Sequence, residues 1–243
     1  MLKRILSVAT VVLLLSVAIQ ARASDDDLLM IAPLNQNMPM ALFQHDKLIG
    51  GILKDLGEAI ARRLGRSLHF VSVAGEQVGS TLSAGKADGI CYVRPFWIDG
   101  DFDWSRALIP DAELVAASPG APPVRALSDL RDRPVGTVTG YRYPRVEQVL
   151  GARFVRVDSG TMEDNLRKLY GGAVRYTVIT RSTLAWQLRE HKTPKMRADL
   201  VFASFSAQCA FSKRSNVPFA EVDKAINSLV EDGSVEDILV RYR

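Results

Sequence analysis

Between residues 47 and 103 the chain runs amphipathic helix, strand, short helix and strand with almost no loop to spare, which leaves few folds open to it. Leu53, Leu56, Ile60 and Leu64 recur at three- and four-residue steps and so share one helical face. Arg62 and Arg63 place positive charge on the last turn, and Gly65 supplies the stop. Residues 68–73 then read as strand, Val78 and Leu82 as a short helix ended by Gly85, and residues 89–93 as strand. Strands separated by helices return to one sheet in parallel, so the block predicts an α/β fold with largely parallel sheets.

The flanking sequence repeats the pattern. Residues 28–33 form an apolar strand ahead of the polar loop Asn35-Gln36-Asn37-Met38-Pro39. Beyond the turn-rich residues 118–123, strands are expected at 135–139, 153–157 and 176–180, each followed by a helix. Thr161 with Asp164 three residues on has the spacing of a capping box. A strand is expected at 207–212, and Val222, Ile226, Leu229 and Val230 line a helix stopped by Gly233. Ser234 with Asp237 is expected to cap the final short helix.

Residues 1–23 combine Lys3 and Arg4, an apolar run from Ile5 to Ile19, and the small-x-small site Ala21-Arg22-Ala23. This is the pattern of a signal peptide cleaved after Ala23, and about 15 apolar residues fall short of the roughly 20 that span a bilayer. The loss of Lys3, Arg4 and Arg22 takes the net charge from +4 to +1. The remaining basic residues are interspersed with acidic ones, which argues against a nucleic-acid partner. Cys91 and Cys209 are the only cysteines; in an oxidising compartment they pair if the fold brings them together. His45, His69 and His191 have no ligand spacing, and neither a metal nor a cofactor is implied.

Several stretches, taken in order, resemble the family 3 extracellular solute-binding proteins, the amino-acid-type receptors of ABC importers. They are Leu48-Ile49-Gly50-Gly51 leading into ILKDLGEAIARRLG, then LSAGKADGI, DFDWSRAL, LSDLRDRPVGTVTGY, the AFSK of a return strand, and the closing INSLVEDGSVEDILVRYR. The resemblance implies a two-lobed, type II periplasmic-binding-protein fold, each lobe a mainly parallel sheet flanked by helices, with a ligand cleft between them. Lobe one would hold residues 24–108 and 207–243, and lobe two residues 109–206. It also implies that the strands carrying Cys91 and Cys209 lie side by side, so that a disulfide can form. The expected protein is a periplasmic monomer that captures a small solute and presents it to an inner-membrane permease or a sensor.

The chain departs from that family where the ligand binds. An amino-acid receptor holds the α-carboxylate with an arginine after the ADGI-type strand, whose planar guanidinium forks onto it, and the α-ammonium with an acidic residue after the last lobe-two strand. Here the first segment reads Tyr92-Val93-Arg94-Pro95-Phe96-Trp97-Ile98-Asp99, with Arg94 displaced by several positions, and the second ends in Thr180-Arg181. A cleft without that carboxylate favours an anionic or neutral polar solute, whether amino-acid-like or an organic acid. The expected contacts are Asn35, Asn37, Arg94, Phe96, Trp97, Gly140, Tyr141, Arg142, Thr180 and Arg181. Gly140 enters because amides at the start of the following helix would receive an anion.

Two other readings stand beside import. One is an accessory or sensory binding protein without a transport role. The other is an enzyme, because cyclohexadienyl dehydratases share this scaffold. Such an enzyme needs a general acid, for which Glu76 and Glu113 are the nearest side chains. No residue pattern of a known catalytic motif is present, so the chain is read as a binding protein rather than an enzyme.

Overall fold

The computed structural model describes residues 26–190 and 196–243; the expected leader and His191 lie outside them. The chain opens with β1 (Asp27–Pro33), the hairpin of β2 (Leu42–Gln44) and β3 (Lys47–Gly50), then α1 (Ile52–Leu64), β4 (Ser67–Val73), α2 (Val78–Ser83), β5 (Gly89–Val93) and β6 (Phe102–Trp104). It continues through β7 (Ile109–Ala117), β8 (Pro134–Val138), α3 (Pro144–Leu150), β9 (Val155–Ser159), α4 (Met162–Tyr170), β10 (Tyr176–Thr180) and α5 (Arg181–Glu190). The last elements are β11 (Arg197–Ser212), α6 (Phe219–Glu231) and α7 (Ser234–Val240).

One hydrogen-bonded path runs β4-β1-β5-β11-β7-β10-β8-β9, with β6 paired to β11. The outer strands β4-β1-β5 and β10-β8-β9 are parallel. The central β11 pairs antiparallel with β7 along one part of its length and with β5 and β6 along another. It therefore belongs to both lobes. The sequence marks only its last third, at 207–212, as strand. The rest, 197–206, is an irregular ribbon with register shifts between Ala198 and Leu200 and between Val201 and Ala203, and these break the period-two alternation that identifies a strand.

Each lobe buries residues on both faces of its sheet. In lobe one Leu28, Met30 and Ala32 of β1 pack toward Leu56 and Ile60 of α1 and Ile226 of α6, while the alternate Ile31 packs with Val78 and Leu82 of α2. In lobe two Val115 and Val178 face Val146 of α3, and Leu114 and Ile179 face Leu166 of α4 and Leu184 of α5. Among the described residues no helix is long and apolar enough to cross a membrane.

The motifs that carry the resemblance turn out to hold lobe one together. The Asp88 carboxylate accepts from the Leu29 amide at 2.7 Å and the Ser215 hydroxyl at 2.6 Å, which ties β1 to the loop after β11. The Ser105 hydroxyl accepts from the Cys209 amide at 2.9 Å. The Thr161 side chain caps α4 through the Asp164 amide at 3.1 Å. The last helix differs from expectation. Gly233 is its N-cap in the left-handed conformation, and the Asp232 carboxylate, not Ser234, accepts the first amide. Cys91 and Cys209 sit directly opposite each other on β5 and β11, and their sulfurs are bonded.

Candidate functional site

The C-terminal ends of β1, β5, β8 and β10 converge between the lobes, the place where α/β sheets present ligand contacts. A cavity of about 100 Å³ lies there. At ~10–15 Å³ per water, that is room for roughly seven to ten waters, and so for a solute of about as many non-hydrogen atoms. Of the contacts expected from sequence, Asn35, Asn37, Trp97, Gly140, Tyr141, Arg142 and Thr180 line it.

Arg94, Phe96 and Arg181 do not line it. Arg94 folds back over Phe205 and Trp97, with its guanidinium carbon 5.1 and 5.6 Å from the ring centroids. Phe96 is 82% exposed and takes a left-handed φ of 74°, which turns its ring outward. Arg181 opens α5 on its solvent side, where nothing opposes full hydration of its charge. Gly140 lines the cavity for a different reason from the one expected. The following helix begins at Pro144, which has no N–H to offer an anion. Gly140 instead lets the backbones meet: at its φ of 81°, a Cβ would stand 2.7 Å from the Glu76 amide nitrogen.

The lobes touch across the cavity mouth. Asn35 donates to the Thr139 carbonyl at 3.0 Å and accepts the Met162 amide on its own carbonyl at 3.2 Å. The Arg142 guanidinium bonds the Asp99 carboxylate and the Phe96 carbonyl, and it holds the Asp99 carboxyl below the usual range. That pair is largely exposed, so it contributes little to stability while bridging the lobes at the mouth. Gly140→Ala is therefore expected to hold the lobes apart. Small-angle scattering should find the variant more extended than the parent, at little cost to the thermal stability of either lobe.

Beneath the mouth lies a buried polar layer that the sequence reading did not assign. Tyr92 sits at a bulge in β5, where Gln208 pairs with Val93 but the next residue, Cys209, pairs with Cys91. Its φ of 61° re-aims the side chain out of the regular alternation. The Tyr92 hydroxyl donates to Asp111 at 2.6 Å, and the same carboxylate accepts the Ser182 hydroxyl, the Ser182 amide and its own neighbour's amide at 2.5–3.1 Å. Burial, reinforced by Asp111, pushes the Tyr92 phenol well up.

Two residues further along β7, Glu113 lines the cavity and is only 8% exposed. This corrects the expectation of a cleft without a carboxylate. The acid comes from the strand crossing between the lobes, not from the end of β10 where Thr180 and Arg181 stand. Burial raises its pKa, and Arg94 opposes that rise without cancelling it. The folded state thus holds this proton more tightly than the unfolded chain does. Its contribution to stability is favourable at low pH and is lost as pH rises from the ordinary glutamate range through the raised value. Glu76, the other acid singled out from sequence, is exposed and outside the cavity.

No protein-family model and no curated protein sequence matches the chain. Solved structures do. An ancestral arginine-binding protein bound to arginine superposes with a TM-score of 0.77 at 19% identity, covering 89% of this chain and 98% of that one. The arginine-, lysine-, histidine-binding protein of Geobacillus stearothermophilus gives 0.76 at 17% identity over 89% and 94%. A histidine kinase sensor domain with similarity to periplasmic binding proteins gives 0.74 at 20% identity over 89% and 95%. The chain therefore has the two-lobed fold of the periplasmic solute-binding proteins, with substrate-binding proteins of amino-acid ABC transporters among its structural neighbours.

Proposed function

We propose that the protein, exported after cleavage at Ala23, captures a small polar solute between its lobes and presents it to a membrane partner such as a permease. Lobe one is residues 24–108 with 207–243, lobe two is residues 109–206, and the two crossings near Ile109 and Ala207 act as the hinge. The observation that carries this reading is the solute-sized cavity at the line where Asn35, Gly140 and Arg142 join the lobes. Capture by closure explains why bridging contacts lie at its mouth rather than in either core. A thermal-shift screen of the exported protein against amino acids, amines, dicarboxylates and aromatic acids tests it. A ligand at a hundred times its Kd stabilises by about 2.7 kcal/mol, which should raise Tm by several degrees. A screen in which no compound moves Tm would overturn the capture reading.

Glu113 supports one second reading. A buried carboxyl with a raised pKa, facing a cavity, is what a general acid requires. In that case prephenate-like acids would lose water and carbon dioxide with turnover, the acid protonating the leaving hydroxyl as the ring carboxylate departs, and Glu113→Gln would abolish it; binding without turnover sinks this reading.

A further inference from the structure

We infer that the captured solute is a small organic cation, an amine or guanidinium compound whose charged group is met by Glu113 and Asn35 rather than an amino acid held by its carboxylate. The inference rests on the solute-capture reading above and deepens it.

Three of the cavity's donors are already engaged. The Asn35 amide donates to Thr139, the Tyr92 hydroxyl to Asp111, and the Arg142 guanidinium to Asp99 and the Phe96 carbonyl. Two of its acceptors are not. Asn35 is 3% exposed, and its side-chain oxygen has no hydrogen-bond partner. Its amide is fixed on the Thr139 carbonyl, so the oxygen cannot be exchanged for the nitrogen without breaking that bond. Glu113, almost as deeply buried, has no ion-pair partner within 4 Å among the described residues.

Burying an unpaired carboxylate and an unpaired amide oxygen together is costly. A ligand bearing several N–H donors and a positive charge satisfies both at once. Trp97 and Tyr141 line the same cavity, and aromatic faces attract cations. A carboxylate on the ligand would meet the opposite situation. Arg94 lies outside the lining, over its two rings, and Arg142 is engaged at the mouth. An anion entering beside Glu113 would be repelled.

The test is isothermal titration of the exported protein with matched compounds: agmatine and cadaverine as cations without a carboxylate, arginine and lysine as their carboxylated counterparts, and 4-guanidinobutyrate and glutarate. Agmatine or cadaverine is expected to bind at least tenfold more tightly than its carboxylated counterpart, and glutarate not at all. Glu113→Gln, which keeps the shape and removes the charge, is expected to weaken cation binding at least tenfold. At neutral pH the same variant should melt no lower than the parent, because the burial penalty on the charge is gone, so lost binding cannot be assigned to misfolding. Tighter binding of arginine, lysine or glutarate, or unchanged cation affinity in Glu113→Gln, overturns the inference while leaving solute capture standing. No binding by any of the compounds overturns the inference, and solute capture falls only if the wider thermal-shift panel is silent as well.

Discussion

Replacing Cys91 and Cys209 together by alanine is expected to lower the free energy of unfolding by about 4–5 kcal/mol. The bond joins residues 118 apart, and in the chain-entropy account a loop of that length removes this much freedom from the unfolded state. The loop contains every strand and helix of lobe two, while both of its ends lie in the core of lobe one. Lobe two is thus an insertion whose base is covalently closed. Urea denaturation of the variant against the parent measures the shift, and a loss below about 1 kcal/mol would show that the unfolded chain is already confined in some other way. Both cysteines are buried, at 4% and 0% exposure, so reductant should act on the native protein only as fast as lobe one opens.

The second large effect concerns Asp111. Asp111→Ala removes the common acceptor of the Tyr92 hydroxyl, the Ser182 hydroxyl and two backbone amides, in a layer buried at Tyr92 and Asp111 and half-buried at Ser182. Leaving a buried donor unsatisfied costs about 1–3 kcal/mol, and partial rehydration of the cavity limits the sum, so a loss of about 3 kcal/mol is expected. Tyr92→Phe removes only one donor and should cost about 1 kcal/mol. The two are in contact, so the double variant is expected to fall short of additivity. Asp111 stands on the strand that crosses between the lobes and bonds a lobe-one tyrosine and a lobe-two helix start. The alanine variant should therefore also lose ligand affinity, even for a compound that never touches it. Denaturation midpoints within 0.5 M urea of the parent, at an unchanged slope, would contradict this role.

The scaffold was legible because it is written in local patterns. The face of α1 and the Thr161 cap each depend on residues a few positions apart, and in both the structure agrees with the pattern. The site was legible only in part. Asn35, Gly140, Tyr141 and Thr180 follow strands whose ends define the cleft, so strand position alone located them. Arg94 and Arg181 were expected in the cleft because of their charge near those ends. Where a charged side chain points depends on neighbours distant in sequence, here Phe205 for Arg94 and open solvent for Arg181.

What could be read from the sequence alone is the order of elements and the α/β class, with the two lobes implied by the resemblance. Helical and strand periodicity and turn residues act over a few positions, so they survive in a single chain read alone. Only the tertiary structure decided the charge of the cleft. In sequence Glu113 is one of two candidate acids, with nothing to set it above Glu76, and Tyr92 is one of several aromatics near the cleft strands. It takes the bulge in β5, the crossing of β7 and the closure of lobe two over Asn35 to exclude water from that carboxylate. A charge acquires its binding character from the medium around it, and the medium is built from contacts across the whole chain.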